Sequence, residues 1–289
     1  MTTTLPFTQT YKNKAKSING NLVFAGSNFV QQSWFSADAI NWTPSAWLNW
    51  TDDQGYPFDY GVYFNGEMLY FQTSYSETRF YDFCKTADFL HWEYVGAYSV
   101  QFTDPAYDDP VFSFFSGMKI ISSGGAIRAF RFIGDPLVRR YSSTNGISWT
   151  ELETNLPYTP YISKIVSHNG FLYAIPSGGT SYKSVYRSSD DGATWTLLTS
   201  DWGIPTATLI DCIATTEGLL AVFTNKETWT STDGISWTKK NYTLPSGTSV
   251  LNNGVILPLG SDLFMVGCGT TKKNVFKLVE ASGPVGIPL

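Results

Sequence analysis

The sequence predicts an all-β chain closed into a single six-bladed β-propeller, each blade made of four antiparallel strands. Three observations carry this reading. A hairpin pattern ending in Trp recurs five times, two short strand-like runs precede each copy, and no segment holds a helical period over ten or more residues. The pattern reads Ser or Thr, any residue, Asp or Asn, three further residues, Trp. Its copies are Ser36–Asp38–Trp42, Thr86–Asp88–Trp92, Ser143–Asn145–Trp149, Ser189–Asp191–Trp195 and Ser231–Asp233–Trp237.

Each copy sits between two strand-like runs, as Lys183-Ser-Val-Tyr-Arg187 and Trp195-Thr-Leu-Leu198 frame the fourth. Strand, tight turn, strand is a hairpin signature. Gly146, Gly192 and Gly234 supply the left-handed residue such a turn needs. The Asp or Asn caps its own turn backbone, and the Trp is large enough to fill a wedge between sheets. Ala39 and Phe89 stand where Gly is expected, which predicts different turns in the first two copies. Two further runs, such as Gly61–Phe64 and Met68–Gln72 around Asn65-Gly66, complete four strands per ~40–50 residues, the scale of a blade.

The chain is therefore expected to form one domain over residues 1–289, with blades at about 11–47, 58–97, 108–153, 160–200 and 206–243. A sixth unit at 250–280 has three strands and no Trp hairpin. The run at 4–8 is expected to supply its fourth strand, because closure hides the edges of an open sheet.

Composition narrows the function classes. Only 15% of residues are charged, 16% are aromatic and the net charge is −5. No basic stripe is present to neutralise phosphates, so neither nucleic acid nor an anionic membrane is expected as partner. No apolar run reaches the ~18 residues of a membrane helix. The N-terminus lacks the basic start and apolar stretch of a secretory signal, which predicts synthesis in a cytosol. Cys84, Cys212 and Cys268 are odd in number and widely spaced, so buried thiols are expected, not a disulfide framework. His91 and His168 are isolated, and no metal or phosphate-loop signature occurs; no cofactor is expected.

The five hairpins resemble the Asp-box, or BNR, repeat of sialidase-like propellers, whose consensus is Ser-x-Asp-x-Gly-x-Thr-Trp. The fourth copy fits fully, with Ser188, Asp190, Gly192, Thr194 and Trp195. In the other four the acid or amide falls one place later, at Asp38, Asp88, Asn145 and Asp233. The resemblance implies a propeller and a structural role for these residues. Sialidases of this type carry an arginine triad, a Tyr–Glu pair and an Asp acid. The six arginines here, Arg79, Arg128, Arg131, Arg139, Arg140 and Arg187, are absent from the first and the last two blades. No catalytic residue is therefore assigned.

In a propeller, the links between blades share one face with the loops joining second and third strands. On that face the link 44–58 holds Trp47, Trp50, Asp52, Asp53 and Tyr56, and the link 98–110 holds Asp104, Tyr107, Asp108 and Asp109. The segment 123–136, read as a loop, adds Arg128 and Arg131. Aromatic rings beside carboxylates suit a sugar or protein surface. These residues are the candidate ligand-binding set. The expected function is non-enzymatic: a virion structural or receptor-binding propeller on a phage tail, fibre or head surface, with other virion proteins or a cell-surface glycan as partner. The alternative is a glycan-active hydrolase of sialidase-like class, drawing on the acid-rich links. A third class, an assembly factor resembling the photosystem-assembly propellers, lacks its basic patch here.

Overall fold

The computed structural model describes residues 2–4, 15–18, 20–24, 34–44, 60–73, 80–88, 91–99, 118–134, 137–157, 162–177, 183–204, 207–243, 254–268 and 274–280. A short strand, β1 (Thr2–Thr4), comes first. Blade I is β2 (Ala15–Ile18), β3 (Asn21–Phe24), β4 (Trp34–Ser36) and β5 (Thr43–Pro44). Blade II is β6 (Tyr60–Phe64), β7 (Glu67–Thr73), β8 (Phe80–Thr86) and β9 (Glu93–Ser99). Blade III is β10 (Lys119–Ser123), β11 (Ala126–Gly134), β12 (Leu137–Ser143) and β13 (Thr150–Leu152). Blade IV is β14 (Ile162–His168), β15 (Phe171–Pro176), β16 (Val185–Ser188) and β17 (Thr196–Thr199). Blade V is β18 (Leu209–Thr215), β19 (Gly218–Phe223), β20 (Thr228–Ser231) and β21 (Thr238–Lys240). After β22 (Tyr242–Thr243), blade VI is β23 (Val255–Leu259), β24 (Asp262–Cys268) and β25 (Asn274–Glu280).

The fold is the six-bladed all-β propeller the repeat predicts, every sheet antiparallel in chain order. The first strands lie innermost: β6, β10, β14, β18, β23 and β2 neighbour one another in that order. Asn-Gly turns at 65–66 and 169–170 join first to second strands, with positive φ at both residues of each. That is the turn whose twist suits a two-residue hairpin.

The last blade is closed by the N-terminus. β1 pairs with β25, with Thr2 opposite Phe276 and Thr4 opposite Asn274. The strand thus starts earlier than the expected 4–8; residues 5–8 lie outside the described ones. One element was not anticipated: Tyr242–Thr243 also pairs with β25, at Glu280 and Val279. Residues 126–134, expected in a loop, are strand β11, paired on both sides. The run Ala126-Ile-Arg-Ala-Phe-Arg-Phe alternates too regularly to be a loop, and its arginines obscured that period.

Burial follows the seams between blades. Leu69 and Phe83 of blade II pack with Ile127, Ala129 and Tyr141 of blade III. Phe130 and Val138 of blade III pack with Leu172 and Trp195 of blade IV. Ile210 and Val222 of blade V meet Met265 and Phe276 of blade VI, and Ala39 of blade I closes the ring against Val255 and Phe264 of blade VI. Ala39 is 1% exposed with φ 62°, so the first hairpin adopts the left-handed turn despite its methyl, contrary to the sequence expectation. Its burial against blade VI offsets a strain of about 1–2 kcal/mol.

The hairpin glycines are held by packing as well as by φ. A Cβ on Gly192 would lie 2.4 Å from the Phe130 ring, and one on Gly234 2.8 Å from that of Tyr173. Gly170 has φ +78° and nothing within 4 Å. Gly170→Ala should therefore cost only the left-handed strain of about 1–2 kcal/mol. Gly192→Ala and Gly234→Ala should each cost about 2–4 kcal/mol, since overpacking adds to that strain. Urea midpoints of the three variants check this; equal losses would reduce the seam contact to backbone strain alone.

Candidate functional site

The hairpin turns are built by one hydrogen-bond scheme. Ser36, Ser143, Ser188 and Ser231 donate to Asp38, Asn145, Asp190 and Asp233 at 2.8–3.1 Å. The same acid or amide oxygen accepts backbone N–H groups ahead of it, from Ile40 and Asn41, from Ile147 and Ser148, from Thr194, and from Ile235 and Ser236. In copies three to five the indole Nε1 of Trp149, Trp195 and Trp237 donates to the carbonyl of Gly146, Gly192 and Gly234 at 2.9–3.2 Å. Thr86, Asp88 and Trp92 hold the same places in the second copy, where Asp88 accepts from the His91 backbone and contacts its Nδ1 at 2.6 Å.

In the fourth copy the turn acceptor is Asp190. The hairpin has one residue more than the others between acid and Trp, and that residue, Asp191, does something else. With φ 56° it points into the seam with blade III. Its carboxylate accepts from Ser123 Oγ at 2.8 Å and pairs with Arg128 Nη2 at 3.1 Å, and its carbonyl accepts from Arg140 Nη1 at 3.1 Å. Arg128 also donates to the Ser142 hydroxyl. Burial and nearby Arg128 lower the Arg140 pKa, opposed by Asp190 and Asp191. Thr154 and Asn155 extend the lock by donating to the carbonyls of Gly192 and Ala193 at 2.8 and 3.1 Å.

A second cross-blade group lies on the innermost strands. Asp211 of β18 is 3% exposed. Its carboxylate pairs with Lys164 of β14 and accepts the backbone N–H of Cys212 at 2.9 Å and of Ile256, on β23, at 3.0 Å. One side chain thereby ties blades IV, V and VI at the ring's centre. A carboxylate so occupied braces the innermost strands. Burial, with the Asp211 charge adding, pushes the neighbouring Cys212 thiol up, so it is an inert core group.

Of the candidate binding residues, Arg128 and Arg131 are described. They point to opposite faces of β11, Arg128 toward Asp191 and Arg131 toward blade II, where burial lowers its pKa. The structure does not bring them together. Trp47, Trp50, Asp52, Asp53, Tyr56, Asp104, Tyr107, Asp108 and Asp109 lie outside the described residues. Described strand ends fix the connections to which they belong: Pro44 to Tyr60, and Ser99 to Lys119, the two flanks of blade II. Asp211 and Lys164 escaped sequence reading. Their only signal was a charge at the same place in two apolar inner strands, each just after a β-bulge.

These features define a six-bladed propeller in which the pairs Arg128–Asp191, Lys164–Asp211 and Lys240–Glu280 join one blade to the next. The family model described as the DUF6242 beta propeller domain matches residues 86–251, more than half of the chain, and the chain belongs to that family. No curated protein matches the sequence. Among solved structures, YjhT is similar at 12% identity and TM-score 0.62, over 97% of this chain and 98% of that one. The exo-β-1,3-galactanase 1,3Gal43A from Clostridium thermocellum is similar at 11% identity and TM-score 0.52, over 94% and 82%. A mutant Trypanosoma rangeli sialidase displaying trans-sialidase activity is similar at 12% identity and TM-score 0.50, over 95% of this chain and 56% of that one. At these identities the likeness is one of fold.

Two predictions follow from the braces. Asp211→Ala leaves Lys164 unpaired and two buried N–H groups without an acceptor, and should cost about 3–5 kcal/mol. Asp211→Asn keeps an accepting oxygen and should cost less. A loss below about 1 kcal/mol for Asp211→Ala would remove the brace from the account.

The second concerns acid. Backbone N–H groups of Asn41 and Ile40 hold Asp38 well below the usual carboxylate range. Burial raises Asp190, but the Thr194, Ser188 and Ala193 donors outweigh it and bring its pKa to about 2. Asp233 is lowered against burial in the same way by Ser236 and Ile235. Folded values below the unfolded 3.8 mean the unfolded chain binds more protons. The stabilisation is then complete above about pH 5 and lost as pH falls through 4 toward 2. Urea midpoints from pH 6 to pH 2 should fall steeply at the acid end, and less so for the triple Asp38→Asn, Asp190→Asn, Asp233→Asn variant. Asn145 already serves in such a turn, so the variant should fold.

Proposed function

We propose that this propeller is a non-enzymatic recognition module, and that it binds a glycan or protein surface through the face carrying the links at 44–58 and 98–110. One observation carries the choice over hydrolysis. The described arginines that a sialidase-type site could use are committed elsewhere: Arg128 and Arg140 hold Asp191 across a seam. Asp38, Asp190 and Asp233 of the repeat are held by turn N–H groups. The five hairpins are read as degenerate Asp-box repeats, supported by their shared Ser-to-acid bond and the acid's grip on the turn backbone.

The links at 44–58 and 98–110 flank one blade. A sugar stacks its apolar face on an aromatic ring while its hydroxyls find carboxylates, and these links hold both kinds of group in Trp47, Trp50, Tyr56, Tyr107 and five aspartates. The chain's low charge and aromatic richness support placing the module on a virion, as part of a phage tail, fibre or head surface. A particle proteome lacking the protein would refute that placement.

Trp47→Ala and Trp50→Ala should each weaken glycan-array or cell binding roughly five- to a hundred-fold, about 1–3 kcal/mol, at unchanged thermal stability. Unchanged binding in both would reject this face. Turnover of a chromogenic glycoside, abolished by Asp→Asn at one of Asp52, Asp53, Asp104, Asp108 or Asp109, would favour the hydrolase instead.

A further inference from the structure

The dipeptide Asn-Gly stands at three places where both residues are described, in two different settings. Asn65-Gly66 joins β6 to β7, Asn169-Gly170 joins β14 to β15, and Asn145-Gly146 lies in the third Trp hairpin. Asn19-Gly20 and Asn253-Gly254 repeat the dipeptide, but their asparagines lie outside the described residues. The step is chemically special. A glycine nitrogen that loses its proton can attack the Cγ of the preceding asparagine, because no side chain on the glycine shields it.

At Asn145 each group this reaction needs is engaged. Its Oδ1 accepts the backbone N–H groups of Ile147 and Ser148 at 2.8 and 2.9 Å and the Ser143 hydroxyl at 3.1 Å. The would-be nucleophile, the N–H of the buried Gly146, donates to Ser143 Oγ at 2.8 Å. The Gly146 carbonyl accepts from the Trp149 indole at 3.0 Å. The side chain cannot turn its Cγ onto the glycine nitrogen without breaking the cap that sets the turn.

At Asn65 and Asn169 the setting is the opposite. Both asparagines and both glycines are exposed, with φ 50° and 84° in one turn and 49° and 78° in the other. Phe64 pairs with Glu67, and His168 with Phe171, across two-residue turns. The ladder bonds of such a turn belong to its flanking residues, which leaves the N–H of the second turn residue to water. Neither asparagine amide has a hydrogen-bond partner among the described residues. Nothing stands within 4 Å of where a Cβ would sit on Gly66 or Gly170.

We propose that Asn65 and Asn169 are sites of spontaneous deamidation, while Asn145 is preserved by its turn. The Gly66 or Gly170 nitrogen bonds to the asparagine Cγ, and its proton goes to the side-chain amide, which leaves as ammonia. Water then opens the resulting succinimide at either carbonyl, giving aspartate or isoaspartate. Each event adds one negative charge, and isoaspartate also lengthens the main chain by one carbon inside a turn of two residues. Met68 lies opposite Thr86, and Leu172 opposite Ser188, so both turns stand at the end of the blade that carries the Trp hairpins. The charge on that side of the ring therefore changes as the molecule ages.

The test is peptide mapping by mass spectrometry on the full chain, aged at mildly alkaline pH both folded and in concentrated urea. In the folded chain Asn65 and Asn169 should convert at least about tenfold faster than Asn145, which reacts only through local opening of its hairpin. In urea the three should convert at similar rates, since the dipeptide is the same. Gly66→Ala and Gly170→Ala, whose methyl groups meet open space, should each slow conversion severalfold at its own site and leave the other site unchanged. Equal rates at all three asparagines in the folded chain, or conversion of Asn65 and Asn169 in urea alone, would overturn the proposal.

Discussion

The ring depends on one contact, seen in the first, fourth and fifth Trp hairpins: a left-handed residue, Ala39, Gly192 or Gly234, pressed against the blade before it. A sheet of four short strands has two apolar faces and cannot bury either alone. The hairpin places a residue with little or no side chain where the neighbouring blade comes closest, and its Trp fills the wedge behind. Gly192 against Phe130 and Gly234 against Tyr173 are the tightest instances. Ala39 shows that a methyl is admitted where the facing blade leaves room. The Ser-to-acid bond and the captured N–H groups serve this contact, because they fix the turn that presents it.

Seams then differ by what stands opposite the hairpin. Between blades IV and V it is aromatic, with Trp202 edge-on to both Phe223 and Trp237 at 5.4–5.5 Å. Between blades III and IV it is ionic, an Asp191 carboxylate sunk beside Gly124 with Arg128 and Arg140 around it. Such a half-buried pair adds little net stability over a packed apolar seam, but removing one partner leaves the other charge without its counter-ion. It ties blade IV to blade III at a place where the preceding seam offers Leu69 instead of Arg128. The Asp211 brace at the centre acts in the same sense, as its two accepted N–H groups come from different blades.

The repeat was legible because its Trp hairpins are local: turn residue, capping acid and large aromatic fall within seven or eight residues. Closure by the N-terminus could be read from a blade lacking a strand, though not its register, since Thr2–Thr4 carries no apolar period. What sequence could not show is pairing across seams. Asp190 and Asp191 are adjacent and chemically equal, and only the one-residue lengthening of the hairpin decides that one caps the turn while its neighbour reaches Arg128. Arg128 and Arg131 looked like loop cations because a charge inside an alternating strand reads as a break in it. Lys164 and Asp211 are 47 residues apart and meet only because two inner strands lie side by side.

Irregularity in this ring is concentrated at blade II. Its two flanking connections, Pro44 to Tyr60 and Ser99 to Lys119, are longer than those after blades III and IV, and its outer strand β9 is longer than β5, β13, β17 and β21. A closed ring of equivalent blades gains nothing in stability from such departures. Longer links cost closure entropy, and an extended edge invites foreign strands. Departures from a repeat's own rules that carry a cost are where a scaffold commonly carries its recognition surfaces. Those departures gather at blade II, while blades III to V, with shorter connections and the cross-blade pairs Arg128–Asp191 and Lys164–Asp211, repeat the frame closely.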